Sequence, residues 1–554
     1  MIANLLRKNY ILPLIILTLG INTWAVPEEG SKLMIASPSK YGVIAGKQIS
    51  KMGGNVVDVA GGVALALSVT SPYYAAFGGG GFALVKMGKK PVDVLDFREM
   101  APAATGPDFY MKREKGASRT GGAAVGVPGV PAGLWQLHKK YGKLAWTRLF
   151  DYAINLAAKG FEVSGEWVRN TERASKRYNA GGKKHFMKKG GKLYKPGEVL
   201  KQPALAKVLK EMRNRNIVPF YRENVARDIV KTVQKTGGVL TLEDMKSYKP
   251  RWLKPIVTEF RGYTVHLMPP PSSGGVVIAS ALKLMDMLEL HKKAPTSSEE
   301  LHYIGEIQKI AFRGRALLGD PDFHKNPIDK LLDKKYLKEF ADKIEDDEVL
   351  DLKPLPELIA KESSETTHFT VMDAKGDAVS FTVTLNGNYG SAVVSEKYGI
   401  ALNNEMDDFT TRPNEPNMFG LIQGKGNLVQ PGKRPLSSMS PTIVTKDGKT
   451  VLALGAPGGP RIINGVLQVL YRVLVSKYDM DWAIQAPRVH HQFLPKTLFV
   501  DKNRLQPDVI ENLKKRGHKI KETWVARVNG IRINEKGWLE AGFDSRGEGA
   551  AGGY

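Results

Sequence analysis

The chain has 554 residues, enough for several domains or for one large interwoven sandwich, and its 42% hydrophobic and 25% charged residues are those of an ordinary folded protein. It contains no cysteine, which excludes disulfides, thiolate nucleophiles, cysteine-ligated zinc and a lipidated cysteine anchor. The formal charge is +25, but the lysine runs, such as Lys183-Lys184, Lys188-Lys189 and Lys514-Lys515, carry no interleaved aromatics and no nucleic-acid motif, so they read as a solvated basic surface.

Residues 1–25 have the layout of an export signal. Arg7 and Lys8 supply positive charge, Tyr10 to Ile21 an apolar run, and Thr23-Trp24-Ala25 a small-x-small cleavage site. About 12 apolar residues fall short of the roughly 20 needed to span a bilayer, so cleavage near Val26 is favoured over an uncleaved anchor. The expected product is exported, periplasmic or secreted, with no membrane span.

Val56 to Val69 is a small-residue apolar stretch with helical spacing, followed by Phe77-Gly78-Gly79-Gly80-Gly81-Phe82, a tight turn into a strand. No Gly-Lys-Ser/Thr follows the glycines and the order is turn to strand, so close backbone packing is the expected use, not phosphate binding. Gly126 to Gly133 leads into a further helical pattern that Leu149 to Ala158 continues. Pro269 to Gly275 forms a rigid loop ahead of a helix over about 276–288, and 301–318 is a helix ending at Gly319-Asp320-Pro321. From Lys330 to Glu365 the composition turns charged and proline-containing, which predicts an exposed linker.

Beyond that linker the pattern changes to alternating strands. Thr366 to Met372 and Ala378 to Thr384 are joined by Asp373-Ala374-Lys375-Gly376-Asp377, a hairpin turn with glycine inside it. Pairing about Lys375 opposes Met372 to Ala378 and, carried outward, Thr366 to Thr384, with Asn386 projecting from the same face. A threonine hydroxyl is a poor nucleophile, but a cut between Glu365 and Thr366 would give it an α-amino base with a pKa of roughly 7.7–8. Taken alone, two threonines in a hairpin also suit simple β-propensity.

Gly455-Ala456-Pro457-Gly458-Gly459-Pro460 then enters a helix from Arg461 to Leu474. Glycines at a helix start expose N–H groups suited to an anion or a developing oxyanion, although the same residues suit a plain entry turn. Glu405 and Asp408 could receive an ammonium group or be surface acids, and Ser437-Ser438 alone is a polar loop. The ten histidines show no zinc spacing, so no metal or other cofactor is expected.

Taken in order, these segments resemble the γ-glutamyltransferase (γ-glutamyltranspeptidase) family of N-terminal-nucleophile hydrolases. The resemblance runs through Gly53-Gly54-Asn55, Gly78 to Gly81, Asp96-Phe97-Arg98-Glu99, Pro269 to Gly275, Gly319 to Phe323, Thr366-Thr367-His368 and Leu402 to Phe409. It continues through Arg434 to Pro441 and Pro457-Gly458-Gly459 to Gly553-Tyr554. It implies an α+β, four-layer αββα sandwich made by self-cleavage at Glu365-Thr366 into a large subunit, 26–365, and a small one, 366–554, that stay paired. It further implies Thr366 as nucleophile supported by Thr384, and Gly458 and Gly459 as oxyanion donors. Arg98 with Ser437 and Ser438 would hold the substrate α-carboxylate, and Asn386, Glu405 and Asp408 its α-amino group. The loop from Pro413 to Gly424 would close over the pocket, with Phe419 where members with this lid often carry tyrosine. The expected partners are a small γ-glutamyl donor, such as glutathione, and water or an amino-acid or peptide acceptor. A glutaryl or cephalosporin acylase is one alternative, and an unprocessed binding protein is another.

Overall fold

The computed structural model describes residues 27–353, 366–412, 415, 417–419, 421 and 424–554. The expected export signal, Glu365 and part of the 413–424 loop lie outside these residues.

Two seven-stranded sheets lie face to face. The first runs, in spatial order, Ala550–Gly553, Leu33–Ser37, Thr367–Asp373, Ala378–Thr384, Gly80–Lys86, Asp93–Asp96 and Arg251–Leu253. The second runs Glu28–Gly30, Leu539–Gly542, Asn529–Ile533, Lys449–Gly455, Thr442–Lys446, Tyr263–Leu267 and Ile256–Phe260. Neighbouring strands within both sheets are antiparallel.

Alternation along the central strands divides the core. Phe369, Val371, Val379, Phe381 and Val383 face the first helical layer, where Lys40–Lys51 and Val56–Thr70 lie. Met372 and Ala378 face the other way, toward Leu452, Ala453 and Leu454 of the second sheet. Helices Gly274–Met287, Ser298–Arg313 and Arg461–Leu474 cover that sheet's outer side, which completes the αββα order. Val56–Thr70 is buried at every position because it is sandwiched between sheet and outer helices, and an Asn55–Asp58 capping box fixes its start. Among the described residues no helix is long and apolar enough to cross a membrane.

The glycine turn works by close approach. A Cβ on Gly79 would lie 2.0 Å from the Thr384 carbonyl oxygen, and one on Gly81 2.1 Å from that of Thr382. These glycines let the strand Gly80–Lys86 seat against Ala378–Thr384, the hairpin arm that carries Thr384.

Two expected boundaries differ. The helix read over 301–318 runs Ser298–Arg313 and tightens into a 3-10 turn, Gly314–Leu317, that directs Arg315 inward. The expected linker begins with structure: Ile328–Leu332 and Lys334–Ala341 are helices, with Leu337 and Ala341 buried in the second core. Lysines at Lys334, Lys335 and Lys338 mask that apolar face in the sequence.

Candidate functional site

The hairpin carries the site. Its ladder pairs Thr367 with Val383, His368 with Thr382 and Met372 with Ala378. One step outward, Thr366 Oγ1 lies 3.2 Å from Thr384 Oγ1. Both residues are buried, and Thr384 Oγ1 also accepts the Asn386 N–H at 2.8 Å. Asn386 has φ 70°, a left-handed turn that carries the chain off the strand while its side-chain amide donates to the Asn404 carbonyl at 3.0 Å. His368 holds the ladder beneath them, its ring nitrogens facing the Thr382 and Thr370 hydroxyls at 2.8 and 3.0 Å. Burial pulls its pKa down to about 3, so it is neutral.

Thr366, Thr384, Asn386, Arg98, Glu405, Asp408, Phe419, Ser437, Ser438 and Gly459 line one small cavity, and Gly458 immediately precedes it. Gly458 and Gly459 have φ of 137° and 55°, and Pro460 caps the helix Arg461–Leu474 that follows. The space left between these side chains is about 20 Å³, room for about one water.

The charges are already engaged with one another. Arg98 Nη2 donates to Asp408 Oδ2 at 2.6 Å, Nη1 donates to Glu405 Oε1, and Nε donates to the Pro435 carbonyl at 3.2 Å. Burial works against the guanidinium, but Glu405, Asp408 and Glu99 outweigh it and hold its pKa above the ordinary value. The three acids respond the other way: burial raises Glu405, Asp408 and Glu99 despite Arg98 beside them.

Several residues that build this site take their roles from contacts that no local sequence pattern displays. Asp96 ends its strand by accepting the Arg98 N–H at 2.9 Å, while Arg251 and Arg434 hold its carboxylate at 2.7 and 2.6 Å. Asp320 joins them, accepting from Arg251 at 3.0 Å and from the Arg434 N–H at 2.8 Å. Arg315 is a second buried guanidinium in the cavity, 3.5 Å from Ser438 Oγ, and burial lowers its pKa to about 10. The adjoining segment is fixed by Ser437, whose N–H donates to the Pro271 carbonyl at 2.7 Å and whose own carbonyl accepts from Ser273. Phe419 is 4% exposed and anchored by its N–H to Asn417 Oδ1, while the Asn417 amide donates to Asp408.

One cluster elsewhere has the composition of a metal site: the ligand atoms of His302, Glu306 and His518 lie within 4.8 Å of one another. Their donors and acceptors are otherwise used. His302 Nδ1 and His518 Nε2 meet at 2.9 Å, and both Glu306 oxygens accept from the Lys309 ammonium at 2.8 Å. That ammonium takes the place of a cation, so the donor set fits a closed hydrogen-bond network.

The fold is that of the N-terminal-nucleophile hydrolases. Over its full length the chain matches a cephalosporin acylase from Bacillus halodurans, with a TM-score of 0.85 at 25% identity and coverage of 100% of this chain and 99% of that one. A γ-glutamyltranspeptidase from Helicobacter pylori matches with a TM-score of 0.56 at 34% identity, covering 57% of this chain and 93% of that one.

The gamma-glutamyltranspeptidase family model matches residues 43–554, and the chain belongs to that family. Among its relatives, a glutathione hydrolase proenzyme of Pseudomonas aeruginosa is 40% identical over 93% of each chain. One of Escherichia coli is 38% identical over 94% of this chain and 91% of that protein.

Proposed function

We propose that this protein is a self-processing γ-glutamyltransferase and glutathione hydrolase. The observation that carries the reading is the cavity itself, where a threonine just ahead of a strand opens on a pocket holding two guanidiniums, two serines and two carboxyls. A glutamyl head group carries a carboxylate and an ammonium, and these two sets of groups complement its two ends.

Maturation begins when Thr366 Oγ attacks the Glu365 carbonyl carbon. The C–N bond breaks, the nitrogen takes the hydroxyl proton, and water cleaves the resulting ester. The products are a large subunit, 26–365, and a small one, 366–554, held together by their shared sheet. In turnover the freed amine accepts the Thr366 Oγ proton as Oγ attacks the γ-carbonyl, with Thr384 orienting the hydroxyl. N–H groups of Gly458 and Gly459 stabilise the oxyanion, each worth about 3–4 kcal/mol in the transition state. Collapse expels the amine with that proton, and water or an acceptor amine then takes the glutamyl group from the threonyl ester. Arg98, Ser437 and Ser438 hold the α-carboxylate, Asn386, Glu405 and Asp408 the ammonium, and Phe419 covers the pocket. The cycle calls on no cofactor. The leader 1–25 directs export to the periplasm or the medium.

The test is release from a γ-glutamyl anilide by the wild type and by Thr366→Ala, with N-terminal sequencing of the small fragment. The expected result is a fragment beginning at Thr366 and no turnover in the variant. Unchanged turnover, or a single uncut chain that is fully active, would end the assignment. The acylase reading has the Bacillus halodurans fold match in its favour, but a glutaryl group lacks the ammonium that Glu405 and Asp408 would meet. Faster cleavage of a glutaryl than of a γ-glutamyl anilide would reverse the preference.

A further inference from the structure

The cavity and its floor hold three buried carboxyls, Glu99, Glu405 and Asp408, but only two guanidiniums, Arg98 and Arg315. Glu99 is wholly buried and its nearest cation is Arg98 Nη1 at 3.9 Å. Neither Glu99 oxygen, nor Oε2 of Glu405, has a donor in hydrogen-bonding geometry. The two carboxyls converge on one nitrogen, Arg98 Nη1, which Glu405 Oε1 bonds and Glu99 Oε2 approaches to 3.9 Å. Gly80 makes the room: a Cβ there would lie 2.5 Å from Glu99 Oε2. Two carboxylates facing each other without a donor are unstable in a buried site, and one proton between them satisfies both oxygens and removes the excess negative charge.

We propose that Glu99 shares one proton with Glu405, and that this proton sets how strongly the pocket selects for a ligand bearing an ammonium group. The inference rests on the glutamyl reading of the site and makes Glu99 a positioning residue acting through Glu405. With the proton in place, Glu405 is partly neutralised. Once it is lost, an ammonium meets a further negative charge, and a second carboxylate is repelled by it. The groups facing the pair are Arg98 on its own segment, Asp408, and the Tyr221 and Tyr248 hydroxyls from the large-subunit side. Both tyrosines are raised by burial and stay neutral across the range tested. Burial brings the Glu99 carboxyl up to about 7, with Arg98 and its own N–H acting against that.

The experiment is calorimetric binding of L-glutamate and of glutarate, which lacks the ammonium, to the matured two-subunit protein at pH 6 and pH 8. The Thr366 amine titrates near this range but faces a carboxylate in both ligands, so its effect cancels in the ratio of their affinities. In the wild type the preference for glutamate over glutarate should rise about tenfold between the two pH values, the change that one unit of coupling produces. In Glu99→Gln the ratio should stay flat at its low-pH value. A flat ratio in the wild type, or a variant that tracks the wild type, overturns the inference while leaving the glutamyl reading intact. Binding of neither ligand overturns both. If Glu99→Gln fails to mature, infrared spectra of the wild type decide: a protonated-carboxyl band lost near neutral pH is expected, and its absence refutes the shared proton.

Discussion

Thr384→Val changes almost nothing in shape and removes one oxygen. That oxygen lies 3.2 Å from Thr366 Oγ1 and accepts the Asn386 N–H at 2.8 Å, in a residue only 1% exposed. Leaving the buried N–H without an acceptor costs about 1–3 kcal/mol, and the hydroxyl pair is worth about 1 kcal/mol more. The folded state should therefore lose about 2–4 kcal/mol, read as a lower urea midpoint with an unchanged slope. The part that reaches the transition state is the aim of the Thr366 hydroxyl and the placement of Asn386. At about 1.4 kcal/mol per tenfold, that is a ten- to hundredfold loss of γ-glutamyl anilide turnover, with a matching delay in chain cleavage on a denaturing gel. Thr384→Ser keeps the oxygen and should retain turnover within about threefold. A valine variant that cuts completely and turns over within about twofold of the wild type would refute the argument that this hydroxyl orients Thr366.

Gly458 has φ 137°, and a Cβ there would meet the Ala526 Cα at 3.2 Å, so Gly458→Ala should tilt the N–H groups at the start of the helix Arg461–Leu474. The expected loss is about a hundredfold in kcat with KM little changed, and a loss confined to KM would contradict an oxyanion role. His368 makes a second prediction, on pH. Its folded pKa is about 3 against roughly 6.5 unfolded, so the unfolded chain binds the proton first. Its contribution is complete above roughly pH 6.5 and is lost as pH falls toward about 3, roughly 2 kcal/mol by pH 5. The raised carboxyls act in the opposite direction over part of that range, so the measurement is the difference between wild type and His368→Gln in urea midpoint at pH 7 and pH 5. A difference that does not narrow with acid would show that the ring is not held neutral.

The hairpin was legible because a strand repeats every two residues and the turn from Asp373 to Asp377 pins the register. That placed Thr366 opposite Thr384 without any knowledge of what lies around them. The glycine turn was legible for a similar reason: four glycines entering a strand exclude side chains where backbone must come close. Glu99 and Arg315 were not legible, since nothing local distinguishes a buried charge from an exposed one. Glu99 acquires its meaning from the Arg98 nitrogen it shares with Glu405, and Arg315 from Ser438, groups far apart in sequence. Asp96, Asp320 and Arg434 stand in segments that carry the resemblance, but their pairing with Arg251 into one ionic girdle that aims Arg98 joins four separate segments and leaves no local pattern. The start of the charged segment after Lys330 misled because lysines on the outer face of Lys334–Ala341 outweigh the two residues that pack inward.

The charges that line the pocket are paired with one another. Arg98 bonds Glu405 and Asp408, the two carboxylates that the proposed reading gives to a substrate ammonium, so the cavity holds an internally paired set of charges. Breaking a buried pair by removing one partner costs about 3–5 kcal/mol, because a bare charge is left behind. A ligand with only one of the two charges imposes that cost: a lone carboxylate drawing on Arg98 strands Glu405 and Asp408, and a lone amine strands Arg98. A zwitterion imposes neither, since its ammonium takes over the acids as its carboxylate takes over the guanidinium. On the proposed reading, selectivity for a glutamyl head arises as much from what the pocket loses with the wrong ligand as from what it gains with the right one. The desolvation of these groups is met during folding, by the Asp96 girdle and the two packed sheets, and the binding step is left with an exchange of partners between groups already in place.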